Sequence, residues 1–281
     1  MCLILTAWQS HPDYPLVVLA NRDEFYERPT APLHWWDEEL LAGKDLADTG
    51  SDPGTWLGIH RSGKFAALTN VRAPSEKNPT ARSRGEIVTQ YLKTTHHPEQ
   101  FLAESKMGMG RYNGFNLLMA QLNQQEQSLY WCSNRILMGS QIRPRKSIQP
   151  QKLKPGLYGL SNAMLDTPWP KVQHRLAAFA QSLAMDTGSF SKPQRYLQLM
   201  QDTQIAPEHQ LPVTGVSLEW EKALSAAFIK TEHYGTRSTA LLRVNRLGHF
   251  EFIERHFDAQ GKSQEESFFG QLKSFTESAK P

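Results

Sequence analysis

Hydrophobic positions at the start of the chain come in short blocks rather than on a helical period. Residues 2–9 (CLILTAWQ) are apolar and mostly β-prone, SHPDYP interrupts them with two prolines, and LVVLAN at 16–21 is too short and too β-branched for a helix. Two strands joined by a turn are expected. The segment 27–55, rich in Pro, Asp, Gly and Trp, reads as a long irregular connection, and 55–71 reads as a hairpin turning at RSGK.

Helical spacing first appears at about 84–94, where Ile87, Val88, Tyr91 and Leu92 share a face, Ser83 is placed to cap and Glu86 follows three residues later. A shorter helix is expected from Pro98. FNLLMAQL (115–122), SLYWCSN (128–134) and GLYGLSN (156–162) return to strand patterning. Residues 168–185 make the clearest helix, with Val172, Leu176, Phe179 and Leu183 on one face, and another helix lies near 193–201. TALLRVNRLGHFEFIERHF (239–257) is a hairpin turning at NRLG, and the polar tail from about 258 is expected to be loosely held, with FFGQL able to dock. Adjacent hairpins with helices grouped between them predict an α+β fold with mostly antiparallel sheets. No repeat or low-complexity linker divides the chain, so one domain over 1–281 is expected.

Composition narrows the function classes. Apolar residues are 39% and charged residues 21%, enough for a core and against disorder of the whole chain. The formal charge of +3 is too balanced to predict a nucleic-acid partner, and the basic runs R-S-R (82–84) and R-P-R-K (143–146) read as solvated loops. Two cysteines exclude a disulfide scaffold, and Cys132, in a strand, is expected to be buried and reduced. No apolar run approaches the ~20 residues of a membrane span, and the first residues lack the basic region and cleavage site of a signal peptide, so a cytoplasmic location is expected. GMGRYNG (108–114) has the wrong spacing for a dinucleotide fingerprint. The ten scattered histidines show no ligand spacing, so neither a cofactor nor a metal is expected.

Cys2 follows the initiator methionine. Removing that residue leaves a thiol nucleophile and a free α-amine, whose ordinary pKa of about 7.7–8.0 suits a general base near neutrality. A hairpin centred between Pro12 and Asp13 sets Cys2 opposite Asp23, with Arg22 and Glu24 beside it. A slip of one or two residues still leaves Asn21–Glu24 next to the chain start. Asp23 would orient the amine, and Arg22 would lower the thiol pKa through its charge.

The opening M-C-L-I-L, A-N-R-D-E at 20–24, T-N-V-R at 69–72, L-S-N at 160–162 and G-T-R-S-T at 235–239 resemble the NRDE family, which includes the eukaryotic transport and Golgi organisation protein 2. Taken singly, Asn70 and Asn162 read as strand terminators and Arg237 as a solvated charge. Their joint order over nearly the whole chain carries the resemblance. The family is similar in turn to the cysteine-type N-terminal-nucleophile (Ntn) hydrolases. The resemblance implies a four-layer αββα sandwich with Cys2 at the end of a central strand. It also implies a catalytic set of Cys2, Arg22, Asp23, Asn70, Asn162 and Arg237, with Asn21 and Glu24 beside the substrate. Arg22 and Asp23 are adjacent here, whereas those hydrolases separate them. The expected activity is hydrolysis of a small amide or N-acyl substrate. The alternative is a non-catalytic carrier for a haem-like ligand, an acyl lipid or acyl-CoA on the same scaffold.

Overall fold

The computed structural model describes residues 2–47, 53–104, 111–138, 141–145 and 147–275. Met1, Lys146 of the R-P-R-K run and the first part of GMGRYNG lie outside the described residues. Strands β1 (Cys2–Trp8) and β2 (Leu16–Phe25) open the chain, followed by β3 (Thr30–Trp35), β4 (Leu40–Asp45), β5 (Leu57–His60) and β6 (Lys64–Asn70). Helices α1 (Gly85–Lys93) and α2 (Pro98–Glu104) precede β7 (Phe115–Leu122) and β8 (Gln127–Ser133). A ribbon of β9 (Arg135–Met138) and β10 (Gln141–Pro144) and the short β11 (Gln151–Lys152) lead to β12 (Gly156–Leu160). Then come α3 (Pro170–Ala184), α4 (Pro193–Leu199), α5 (Leu218–Ala223), β13 (Tyr234–Val244), β14 (His249–Phe257) and β15 (Ser263–Gln271).

The strands assemble into two large antiparallel sheets, ordered β12-β1-β2-β13-β14-β15 and β11-β8-β7-β6-β5-β4-β3. The period of two along each strand divides its side chains between two cores. Ile4, Trp8, Val18 and Ala20 of the first sheet pack in one cluster with Ile59, Phe65, Ala67 and Leu118 of the second. Leu3, Leu5, Val17 and Leu19 point the other way, onto Val172, Phe179, Leu183 and Tyr196 of α3 and α4. The far side of the second sheet, with Ala66, Leu117 and Met119, packs on Ile87, Val88, Tyr91 and Leu92 of α1. The architecture is mixed helix and sheet with large antiparallel sheets.

Four features differ from the sequence reading. The β1–β2 hairpin pairs Trp8 with Leu16 and Cys2 with Arg22, one residue away from the expected Cys2–Asp23 register. Gln9 takes a left-handed φ of 48° and its N–H donates to the Pro15 carbonyl at 2.8 Å, so the loop is centred on Pro12 itself. The segment expected to be irregular holds β3 and β4, whose apolar stretches were too short to stand out among the prolines and tryptophans. Arg84, not Ser83, occupies the N-cap position of α1, with no side-chain capping bond. Up to residue 275 the tail is built into the fold rather than loosely held. Residues 263–271 form edge strand β15 against β14, and Leu272 and Phe275 are buried beyond it. Its polarity reflects solvent on the exposed face of an edge strand.

A cleft beside Cys2

The one-residue register decides which side chains share a face. Cys2 and Arg22 are directly paired and point toward the second sheet, whereas Asn21 and Asp23 point toward the helices. Asn21 is fully buried there. Its amide donates to the carbonyls of Met200 (2.9 Å) and Ala227 (2.8 Å), and its oxygen accepts from the Thr239 hydroxyl at 2.7 Å. This side chain, expected beside a substrate, is committed to joining β2, β13 and the helical layer.

A cleft of about 230 Å³ opens where the ends of β1, β2, β6 and β13 meet the start of α1. Cys2, Arg22, Asp23, Glu24, Asn70 and Arg237 line it, so six of the eight residues singled out in the sequence come together. Asn162 stands behind this wall. Its amide donates to the Asn70 carbonyl at 2.9 Å, and its own carbonyl accepts from the Arg72 N–H at 2.7 Å. The Ser161 hydroxyl lies 3.0 Å from the Cys2 carbonyl, so the L-S-N segment ties the start of β1 to the end of β6.

A β-bulge places Arg237. The register of β13 on β2 shifts between Thr236 and Ser238, leaving Arg237 as the extra residue and turning its side chain into the cleft. Its Nη1 donates to the carbonyls of Phe25 (2.9 Å), Tyr26 (3.0 Å) and Arg28 (3.2 Å) and holds the turn after β2. Arg28 contacts Asp45 at 2.9 Å, and Arg22 reaches the same carboxylate at 3.5 Å. Thr236 donates to the Asp23 carboxylate at 2.7 Å, and Tyr234 donates to the Asp23 carbonyl at 3.0 Å.

Burial dominates the electrostatics. It pushes the Cys2 thiol above its ordinary value, and the Asp23 carboxylate adds to this, while Arg22 and the Asp23 N–H pull the other way. The sequence reading expected a lowered thiol. Cys2 is only 7% exposed, and loss of hydration outweighs the neighbouring charge. Asp23 is likewise raised by burial, opposed chiefly by Lys171. Lys171, in the first turn of α3, is buried, and its Nζ has no hydrogen-bond partner among the described residues. Burial brings its pKa down to about 8, with Asp23 resisting the fall.

Sequence reasoning missed Lys171, which acts on Asp23 from the helical side, and the charged residues Arg28, Lys44, Asp45, Arg82, Arg84 and Glu254 that line the cleft. The R-S-R run was the available signal. Its arginines flank the start of α1 and line the cleft, Arg82 exposed to solvent as the loop reading expected and Arg84 partly covered. Among the described residues, no group of three or more His, Cys, Asp or Glu is arranged to hold a metal ion. No helix among them is long and apolar enough to cross a membrane.

Fold and site together define an antiparallel α/β protein with a thiol at the floor of a cationic cleft. The chain belongs to the Transport and Golgi organisation 2 family, whose model matches residues 1–259. It is 33% identical over 276 residues to the Transport and Golgi organization protein 2 homolog of Bos taurus, covering 91% of this chain and 92% of the relative. The Homo sapiens homolog is 33% identical over 268 residues, with the same coverage. Among solved structures, the C2A mutant of conjugated bile acid hydrolase from Clostridium perfringens aligns over 95% of this chain and 92% of that one, with a TM-score of 0.44 and 8% identity.

Proposed function

We propose that the protein is an Ntn-type cysteine amidohydrolase acting on a small amide or N-acyl substrate, on a four-layer αββα scaffold in the cytoplasm. The observation that carries the reading is Cys2 at the end of β1, lining the cleft directly opposite Arg22 with the Asp23 N–H on its sulfur. Removal of Met1 gives Cys2 a free α-amine. A raised thiol pKa makes that amine necessary, because the thiol is neutral near pH 7 and must lose its proton as it attacks.

In the proposed reaction Cys2 Sγ bonds to the amide carbonyl carbon while its proton passes to the α-amine. The tetrahedral intermediate collapses, the C–N bond breaks, and the amine returns the proton to the leaving nitrogen. Water then adds to the thioester, the C–S bond breaks, and a carboxylic acid and the free thiol are released. Asn70 and Arg22, which line the cleft with Cys2, would donate to the oxyanion, and such donors are typically worth about 10²–10³ in rate each. Asn162 acts here through Asn70, whose main chain it holds, and Asp23 orients the amine. No cofactor or nucleic-acid partner enters this scheme.

One observation favours the second reading, a non-catalytic carrier of a haem-like or acylated ligand: the thiol is buried and its pKa is raised. Assay of N-acyl amides with the Met1-free protein separates the two. Hydrolysis that disappears in Cys2→Ser supports the enzyme. Absence of turnover across a broad panel, with tight binding of haem or acyl-CoA that survives Cys2→Ser, supports the carrier.

A further inference from the structure

The charges lining the cleft do not cancel locally. Arg22 and Arg28 are each within 4.0 Å of both Asp45 and Glu24, two carboxylates for two guanidinia, and Arg82 is paired with Glu86 at 2.8 Å, which leaves Arg84 and Arg237 as the lining arginines not matched to a carboxylate among the described residues. Arg84 makes no ion pair among the described residues. Its one side-chain hydrogen bond there runs from Nη1 to the Gly114 carbonyl at 3.2 Å. Arg237 is spent on carbonyls, not carboxylates, and its Nε has no partner among the described residues. Arg22 is buried, and its Nη1 also has no hydrogen-bond partner among them. A guanidinium has five N–H donors and cannot shed its charge, so burying one with donors unmatched is costly unless a ligand completes it.

Main-chain geometry adds to the imbalance. Ser83, Arg84 and Gly85, at the N-terminal end of α1, face the same cleft, and a helix N-terminus favours negative charge. That end is fixed in place, since a Cβ on Gly54 would lie 2.5 Å from the Gly85 carbonyl carbon. Burial, resisted by Glu24 and Cys2 and helped by Arg28 and Arg135, draws the Arg84 pKa down to about 10. Burial with Arg22 nearby lowers that of Arg237.

We propose that Arg22, Arg84 and the N-terminal end of α1 form a subsite for an oxyanion, a carboxylate or phosphate carried by the substrate beside the scissile bond. The subsite deepens the hydrolase reading by giving its substrate a charge, but it binds whether or not chemistry follows. It would hold the anionic end of an N-acyl compound while Cys2 addresses the carbonyl. A bidentate guanidinium contact supplies both affinity and orientation.

The test is calorimetric titration of the full chain with N-hexanoylglycine and with N-hexanoylglycinamide, which differ only in the carboxylate. The carboxylate is expected to bind about tenfold tighter or better, as a charge-assisted contact worth at least 1.4 kcal/mol requires. Arg84→Gln should abolish that preference and Arg84→Lys should retain part of it, with circular dichroism reporting folding. Acetate and inorganic phosphate titrated in parallel identify the preferred oxyanion. Equal affinity for the matched pair in the unmodified protein, no binding of either, or a preference untouched in folded Arg84→Gln overturns the subsite. Binding without hydrolysis leaves the subsite standing and removes the enzyme reading. Equal hydrolysis of both compounds, with equal affinity, does the reverse.

Discussion

Replacing Asn21 with alanine separates a structural asparagine from a substrate contact. The side chain makes two hydrogen bonds to main-chain carbonyls of other elements and receives one from Thr239, all between 2.7 and 2.9 Å and all buried. Each is worth about 1 kcal/mol net, and leaving Met200 and Ala227 carbonyls dry adds to the loss, so about 3–4 kcal/mol of stability should disappear. For a chain of 281 residues that corresponds to a fall in melting temperature of roughly 5–7 °C. Urea unfolding followed by tryptophan fluorescence measures it as a lower midpoint at unchanged slope. Combining Asn21→Ala with Thr239→Val should cost less than the two changes added together, because they share a bond. Affinity of the folded variant for N-hexanoylglycine should not change. A loss of stability below about 1 kcal/mol, together with loss of binding, would refute the assignment of Asn21 to the helix-facing side of β2.

Three further outcomes follow from the same geometry. Arg243 is buried against Asp186 (3.0 Å) and Glu251 (2.5 Å), so Arg243→Leu should destabilise the protein by about 3–5 kcal/mol by stranding two carboxylates, and a change under about 1 kcal/mol in chemical denaturation would contradict this. Lys171 has a folded pKa of about 8 against an ordinary 10.5, so the unfolded chain binds more protons between those values and stability from this group rises with pH across that window. The stability of the unmodified protein relative to Lys171→Met should therefore climb between about pH 8 and 10.5, by about 1.4 kcal/mol per unit at its steepest, and a flat difference would count against the buried amine. Iodoacetamide should label Cys2 before Cys132, whose pKa is pushed up to about 12 by complete burial, and both should be slow at pH 7. Preferential labelling of Cys132, read by peptide mass spectrometry, would contradict the placement of the two thiols.

Strand and helix patterning was legible wherever an element faced a core for several residues. The α3 face at Val172, Leu176, Phe179 and Leu183 packs as its spacing predicts, and β1, β2, β7 and β13 read directly as apolar blocks. The hairpin register was not legible, because it turns on the left-handed Gln9, a conformation that composition does not announce. That single residue reversed the faces of Asn21 and Arg22. Edge elements such as β15 escaped because only one side of them meets apolar atoms. Cys2, Glu24 and Arg237 were found through their motifs. Arg84 and Lys171 were not, since a guanidinium before a helix and a lysine within one carry no mark of burial in the sequence. The thiol pKa was misjudged for a related reason: charge is visible in a sequence, whereas desolvation is a property of packing.

As an Ntn-type nucleophile, Cys2 must accept an acyl group on its sulfur. Intact-mass analysis of the Met1-free protein, after brief incubation with an activated acyl ester of N-hexanoylglycine's acyl chain and quenching in acid, tests it directly. One added hexanoyl group is expected, localised to Cys2 by fragmentation, removed by hydroxylamine and absent from Cys2→Ala. An unmodified Cys2, or acylation that persists in Cys2→Ala, would contradict it.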